Sequence, residues 1–290
     1  MDSEKGIVLG IYISGFHITT SLVDLDKNEV LDESYYRTRV NSWASSDMII
    51  SSWCDAIKNT TKNIPLDTLK IGIAIPGQFD YENGISYIKG NKKYDSLYGL
   101  NIKTKLAQKL GVIPEHIRML NDATAFLQGE ILANGIDKST NVIALTLGTG
   151  LGTAVYSNGV MRDAELWNSF FKDGRAENYI STRWLLSTYF ESAGINIVSI
   201  KALHNLYKES ATVKSVFRDF AANLGILVKQ FVEAEQPELI VLGGDITMSA
   251  KYFVPQLQKY LAQHNITTPI IISSLGNKSA IYGAACSWIK

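Results

Sequence analysis

The chain has 290 residues, 46% of them hydrophobic, enough to bury one or two ordinary cores and long enough to favour two domains. Its 28 basic residues balance 28 acidic ones and no basic cluster stands out, so charge leaves no footprint for a nucleic-acid partner. No apolar run reaches the roughly 18 residues of a membrane span and no basic-plus-apolar leader precedes Gly6, so no membrane partner and a cytoplasmic location are expected.

The residues from Gly6 to Asp24 read as strand, turn and strand, with Ser14 and Gly15 in the turn and Asp26-Lys27-Asn28 closing the second strand. Ser45 or Ser46 can cap a helix in which Ile49, Trp53 and Ile57 recur every four residues. Cys54 falls within this pattern and Cys286 within another, which predicts two buried free thiols in a reducing compartment. The apolar strand 69–75 follows and stops abruptly at Pro76-Gly77. A strand tip of this kind exposes backbone at the carboxyl edge of the sheet, where open α/β sheets bind ligands, and it equally fits a plain surface turn. Asn91 lies in the polar loop beyond it.

At Asn121-Asp122, two side chains able to cap a helix precede an alanine-rich helical pattern, although one suffices for a cap. Asp122 therefore reads as an N-cap or as a catalytic base. Its place between two strand-turn-strand units favours the base, which would accept a proton from a substrate hydroxyl attacking phosphorus, while Asn121 holds a neighbouring hydroxyl.

The segment 142–160 carries the strongest signal. Two strand-like runs are joined by Gly148-Thr149-Gly150-Leu151-Gly152-Thr153 and the second ends on Asn158-Gly159, a hairpin signal. Glycines admit phosphate oxygens to backbone N–H groups and the threonine hydroxyls add donors, so the loop reads as a phosphate clamp. A P-loop would end in Gly-Lys-Ser/Thr and a dinucleotide fingerprint would lead into a helix, and neither occurs here. A glycine-rich hairpin without a ligand is the alternative. The likeness of this unit to the N-terminal one predicts duplicated halves, two mixed α/β lobes facing a cleft, each contributing a clamp. Further on, Val216, Phe217, Phe220, Leu224, Leu227, Val228 and Phe231 mark a core-packing helix. The strand ending at Gly243-Gly244 could admit a flat ligand against its backbone. His17, His116, His204 and His264 have no metal-ligand spacing and no Cys-x-x-Cys occurs, so no zinc site is expected.

Together the clamp at 147–153, Asn121-Asp122-Ala123, Pro76-Gly77, Leu242-Gly243-Gly244 and the closing Ser279-Ala-Ile-Tyr-Gly283-Ala-Ala resemble the ROK (repressor, open reading frame, kinase) family of bacterial sugar kinases and repressors, from about Gly6 to Trp288. The resemblance implies an α/β, two-lobed actin-like ATPase (ribonuclease H-like) fold with duplicated mixed-sheet domains, divided into 1–120 plus 278–290 and 121–277. It implies phosphoryl transfer from ATP with Mg²⁺ to a hexose hydroxyl and a homodimer. Asp122 matches the catalytic base. Asn121, Glu165 and Glu177 match sugar contacts, with Pro76, Gly77, Asn91 and Asn168 around the same sugar site, and Ser14, Gly15, Gly148, Thr149, Gly150, Gly152, Gly243 and Gly244 match the nucleotide site.

Two departures stand out. Asn168 holds a histidine position and Arg175 a cysteine position, which resembles the zinc-free branch that includes polyphosphate-dependent glucokinases. The first clamp, usually Asp-x-Gly-Gly-Thr with the aspartate serving the Mg²⁺ site, reads Tyr12-Ile13-Ser14-Gly15-Phe16. A neutral tyrosine offers no anionic oxygen and Phe16 removes a hydroxyl. The expected function is therefore a sugar kinase, glucokinase- or hexokinase-like. The alternative is a pseudokinase that binds sugar or nucleotide without chemistry. A DNA-binding repressor of this family carries a helix-turn-helix ahead of the first strand, and only five residues precede Gly6 here.

Overall fold

A computed structural model describes residues 6–62, 64–90 and 93–289, and the chain divides into two compact units, 1–136 with 277–290, and 137–276. Unit 1 is built from β1 (Ile7–Ile13), β2 (His17–Asp24), β3 (Glu29–Val30), β4 (Tyr36–Arg39), α1 (Ser46–Thr60), β5 (Lys70–Ile75), β6 (Phe79–Asp80), β7 (Ile85–Ser86), α2 (Ile102–Leu110), β8 (Ile117–Asn121) and α3 (Asp122–Ala133). Its main sheet has the order β3-β2-β1-β5-β8, with β4 also on β2. β1 and β2 are antiparallel, whereas β1, β5 and β8 run parallel.

Strand alternation sorts β1 between two layers. Leu9, Ile11 and Ile13 pack into one core with Ile49, Trp53 and Ile57 of α1, while Val8 and Tyr12 pack on the other side with Ile281 of the C-terminal helix Lys278–Cys286. Burial on both faces explains why the strand reads as a continuous apolar run. The C-terminal helix meets α3 backbone to backbone: a Cβ on Gly283 would collide with the Ala125 carbonyl oxygen, and one on Gly129 with that of Ser279. This glycine contact draws α3 into unit 1. The division between units consequently falls at Ile136/Asp137, whereas the sequence reading put it at 120/121.

Unit 2 contains β9 (Val142–Leu147), β10 (Leu151–Ser157), β11 (Val160–Asp163), β12 (Phe170–Phe171), β13 (Gly174–Arg175), α4 (Ala176–Tyr179), α5 (Thr182–Ala193), α6 (Ile200–Leu206), α7 (Ala211–Glu235), β14 (Leu239–Gly243), α8 (Ala250–Ala262) and β15 (Ile270–Ile272). Its sheet has the order β11-β10-β9-β14-β15, antiparallel across the hairpins and parallel through β9, β14 and β15. Each unit thus repeats one plan: a hairpin whose first strand continues the sheet through two parallel neighbours. The β10–β11 turn has Asn158 at φ 52° and Gly159 at φ 78°, the paired left-handed conformations of a type I′ hairpin. Val216, Phe217, Phe220, Leu224, Leu227, Val228 and Phe231 of α7 are all buried in the unit 2 core.

Neither cysteine is in a disulfide and both are buried, and burial pushes the Cys54 thiol up to about 11. Among the described residues no helix is long and apolar enough to cross a membrane, and no group of three or more His, Cys, Asp or Glu side chains could hold a metal ion.

Candidate functional site

The glycine-rich turn of unit 2 is shorter than the sequence reading made it. β10 begins at Leu151, so Gly152 stands in the ladder opposite Thr146. Thr153 is fully buried, away from any ligand in solvent, and its hydroxyl accepts the Leu166 N–H at 3.1 Å, which anchors the following loop. The turn proper is 148–150. The Gly148 N–H donates to the Gly150 carbonyl at 3.0 Å and the Gly148 carbonyl accepts Thr182 N–H at 2.8 Å. The tip can therefore offer an anion the N–H groups of Thr149 and Gly150 and the Thr149 hydroxyl. Space above Gly148 is open.

Glu177, expected at a sugar, stands against this same turn. It lies in α4, and its Oε2 accepts the Leu151 N–H at 3.1 Å. A Cβ at position 150 would collide with that oxygen, so Gly150 is required by the carboxylate as much as by any phosphate. Glu165 and Asn168 bracket the 3-10 turn 166–168, and both are exposed. Glu165 has φ 52°, a conformation held by its N–H bonding Asp163 Oδ1 at 2.8 Å. Burial pushes the Asp163 carboxyl above its ordinary range. Its part in shaping this loop was not read from the sequence.

Gly243 ends β14 opposite Thr146, and Gly244 has φ 87° with its missing Cβ directed at the Leu147 backbone. The packing of Leu147 alone demands a glycine at 244. The Gly244 carbonyl accepts both the N–H and the hydroxyl of Thr247, which starts the 3-10 turn 245–249.

In unit 1, β8 delivers Asn121 beside Ile75, the last residue of β5. Asn121 is the N-cap of α3: its Oδ1 accepts the N–H groups of Ala123 at 2.8 Å and Thr124 at 3.2 Å. The capping role therefore belongs to Asn121, and Asp122 stands half-buried at the first helical position. Pro76 and Gly77 do end β5, with Gly77 at φ 106°. Tyr81, which the sequence did not single out, binds these parts together. Its hydroxyl lies 3.1 Å from the Ile75 carbonyl and 2.7 Å from the Gly77 carbonyl, and 3.5 Å from Asn121 Nδ2. Asn91 lies outside the described residues.

The turn between β1 and β2 spends its serine on itself. Ser14 N–H donates to the His17 carbonyl at 2.8 Å, its hydroxyl and the His17 N–H are 3.2 Å apart, and its carbonyl accepts the Tyr94 hydroxyl at 2.7 Å. Phe16 leans on Trp43, ring centroids 5.5 Å apart, and Lys93 Nζ lies 4.0 Å from the Phe16 centroid. Tyr12 is half-buried against Ala74, Ala125, Ala280 and Ala284.

Comparisons with known proteins agree with this plan. The chain is 25% identical over 250 residues to a glucokinase of Thermotoga maritima, covering 74% of the chain and 77% of that protein. It is 22% identical to a xylose repressor of Caldicellulosiruptor bescii, covering 98% and 78%. Its fold matches the ROK family glucokinase of Streptomyces griseus, solved with glucose and AMPPNP, at a TM-score of 0.80 and 19% identity over 97% of this chain and 98% of that one. The fold is thus shared with that structure. The ROK family model matches residues 8–164 and 172–290, passing over the segment with Glu165 and Asn168 but spanning the β sheets of both units, and the chain belongs to the ROK family.

Proposed function

We propose that this ROK protein is a sugar kinase that transfers a phosphoryl group from ATP to a hexose hydroxyl, with Asp122 as general base. The observation that carries the reading is the division of labour at the start of α3: Asn121 makes both capping hydrogen bonds, so helix capping does not account for the carboxylate beside it. In this reading Asp122 orients the acceptor hydroxyl and takes its proton as the bond to phosphorus forms, a contribution of about 10²–10⁴-fold in comparable enzymes. Within unit 1 the reading takes Asn121, Pro76 and Gly77 as sugar contacts, with Tyr81 hydrogen-bonded to the Gly77 carbonyl. Within unit 2, taken by itself, it reads the 148–150 turn as a phosphate contact and Glu177, Glu165 and Asn168 as sugar contacts. Gly243 and Gly244 flank the nucleotide. The family resemblance supports a cytoplasmic homodimer and a zinc-free protein.

Mg²⁺ accompanies the nucleotide in reactions of this class and neutralises charge on its phosphate oxygens. The residue that would serve it in the family pattern is here Tyr12, a neutral phenol packed against alanines, so the first turn does not fit an ion held by a protein carboxylate. No step of the proposed reaction is assigned to it.

The test is a coupled assay of the purified protein with Mg-ATP over a panel of hexoses and amino sugars, repeated with polyphosphate as donor. Formation of a sugar phosphate supports the reading. Silence with every sugar and both donors would overturn it and leave the pseudokinase.

A further inference from the structure

We infer that Glu130 is a positioning residue: its bond to Ser279 fixes the seat of α3 on the C-terminal helix, and so the direction in which Asp122 leaves the end of β8. The consequence for Asp122 rests on the kinase reading, whereas the fixing contact is read within unit 1 alone.

Glu130 is fully buried, a costly place for a carboxyl, and no step of the proposed reaction uses it. Its Oε1 accepts the hydroxyl of Ser279, also fully buried, and its Oε2 accepts Asn134 Nδ2 at 3.1 Å. Ser279 lies in the first turn of the C-terminal helix, and Glu130 lies about 12 Å along α3 from Asp122. The helix crossing that this bond spans is smooth. A Cβ on Gly129 would stand 2.1 Å from the Ser279 carbonyl oxygen, and one on Gly283 would stand 1.8 Å from that of Ala125. Helices ordinarily find their register by interlocking side-chain ridges, and backbones that touch at glycine and alanine have little to interlock. A directional bond between buried groups supplies the register that shape does not, which is the best-attested use of a buried polar pair.

The C-terminal helix is itself a fixed reference. Gly10 and Gly72 make room for its Ile281 and Ala284 carbonyl oxygens, which would lie 2.4 and 2.0 Å from a Cβ at those positions, and Trp288 Nε1 donates to the Ile71 carbonyl at 3.2 Å. α3 therefore has two anchors: β8 holds its start at Asn121, and Glu130 holds its far half on the C-terminal helix. Between them they set the rotation of the first turn, which aims Asp122. A helix moves as a rod, so a slip at Glu130 is carried to that turn, where a displacement of about 1 Å can cost on the order of 10²-fold in rate.

Replacing both partners by apolar groups tests this. Glu130→Met combined with Ser279→Ala leaves neither partner's mate unpaired, and Asn134 keeps its 2.8 Å bond to the residue 130 carbonyl, so the double variant should melt within a few degrees of wild type. Its turnover of sugar should fall roughly tenfold or more, with KM for sugar and for ATP within a few-fold. Its backbone amide resonances should shift along α3 as far as Asp122 and Ala123. Glu130→Gln still accepts the Ser279 hydroxyl and should turn over within a few-fold of wild type. If the double variant does not fold, Ser279→Ala alone carries the same comparison. Undiminished turnover in the double variant, or amide shifts confined to the surroundings of residues 130 and 279, overturns the inference. So does a fall in turnover matched by equal losses of substrate affinity and melting temperature, the mark of general loosening. A wild-type protein that phosphorylates no sugar, with shifts that reach Asp122, would sink the kinase reading alone. A working kinase whose turnover ignores the Glu130–Ser279 pair would sink this inference alone.

Discussion

The β1–β2 turn and the β9–β10 turn occupy the same position in the same strand order, yet one is closed by side chains and the other is open. At 148–150 the tip carries glycines, an exposed threonine and open space above Gly148, and the Glu177 carboxylate stands against Gly150. At 14–16 the serine is bonded within the turn and the tip is roofed by Phe16, Trp43 and Lys93. Duplication of the backbone plan has therefore preserved the location of two turns and not their chemistry. What a turn in this fold can bind depends on what lies against it: Lys93 and Tyr94 in unit 1 and Glu177 of α4 in unit 2.

Matched glycine substitutions break or sharpen this contrast most strongly. Gly150→Ala drives a Cβ into the Glu177 carboxylate, which is hydrogen-bonded to the Leu151 N–H, whereas Gly15→Ala meets the end of the Lys93 side chain. The first should lower kcat/KM by about 100-fold, the scale expected when reacting groups are misplaced by an ångström, and the second by less than about tenfold. Steady-state kinetics on both variants checks the difference; equal losses would mean that the turns are not distinguished by what covers them.

Tyr12→Asp tests whether the first turn has left metal chemistry behind. Removing a ring packed on four alanines and placing a carboxylate there should cost about 2–4 kcal/mol in urea unfolding. In return, nucleotide binding should become more dependent on Mg²⁺. Unchanged Mg²⁺ dependence would show that the aspartate position is not what sets it.

Tyr81→Phe should be milder, about 1–2 kcal/mol by thermal unfolding, because the strand-end carbonyls of Ile75 and Gly77 lose a shared donor. Its signature is a split: a higher KM for sugar with tripolyphosphate affinity unchanged. Smallest of all should be Gly148→Ala, for which a Cβ has space and φ lies outside the left-handed region. Its stability should stay within about 0.5 kcal/mol of wild type, measured by the same unfolding scan.

Much of this plan was legible in the sequence because its causes are local. The Asn158-Gly159 turn, the α1 pattern of Ile49, Trp53 and Ile57, and the stop at Pro76-Gly77 each follow from neighbouring residues. Contacts between distant segments were not legible. Glu177 reaches the turn from 26 residues away, and Tyr81 reaches Asn121 from 40. No periodicity marks Lys93, which is brought to the first turn by the conformation of Tyr94. The domain boundary moved for a similar reason, since the contact of α3 with the C-terminal helix depends on two glycines on elements at opposite ends of unit 1. Thr153 was misread because a threonine hydroxyl beside a glycine loop serves phosphate or backbone equally well, and only burial decides.

The central claim is the assignment of Asp122, and the most direct measurement is Asp122→Asn assayed beside wild type for both turnover and sugar binding. The amide keeps a hydrogen-bonding group for the sugar but cannot take its proton, so turnover should fall by at least about 100-fold while sugar affinity, by calorimetry, stays within a few-fold. Undiminished turnover in the variant would contradict the account, whatever sugar the protein proves to accept.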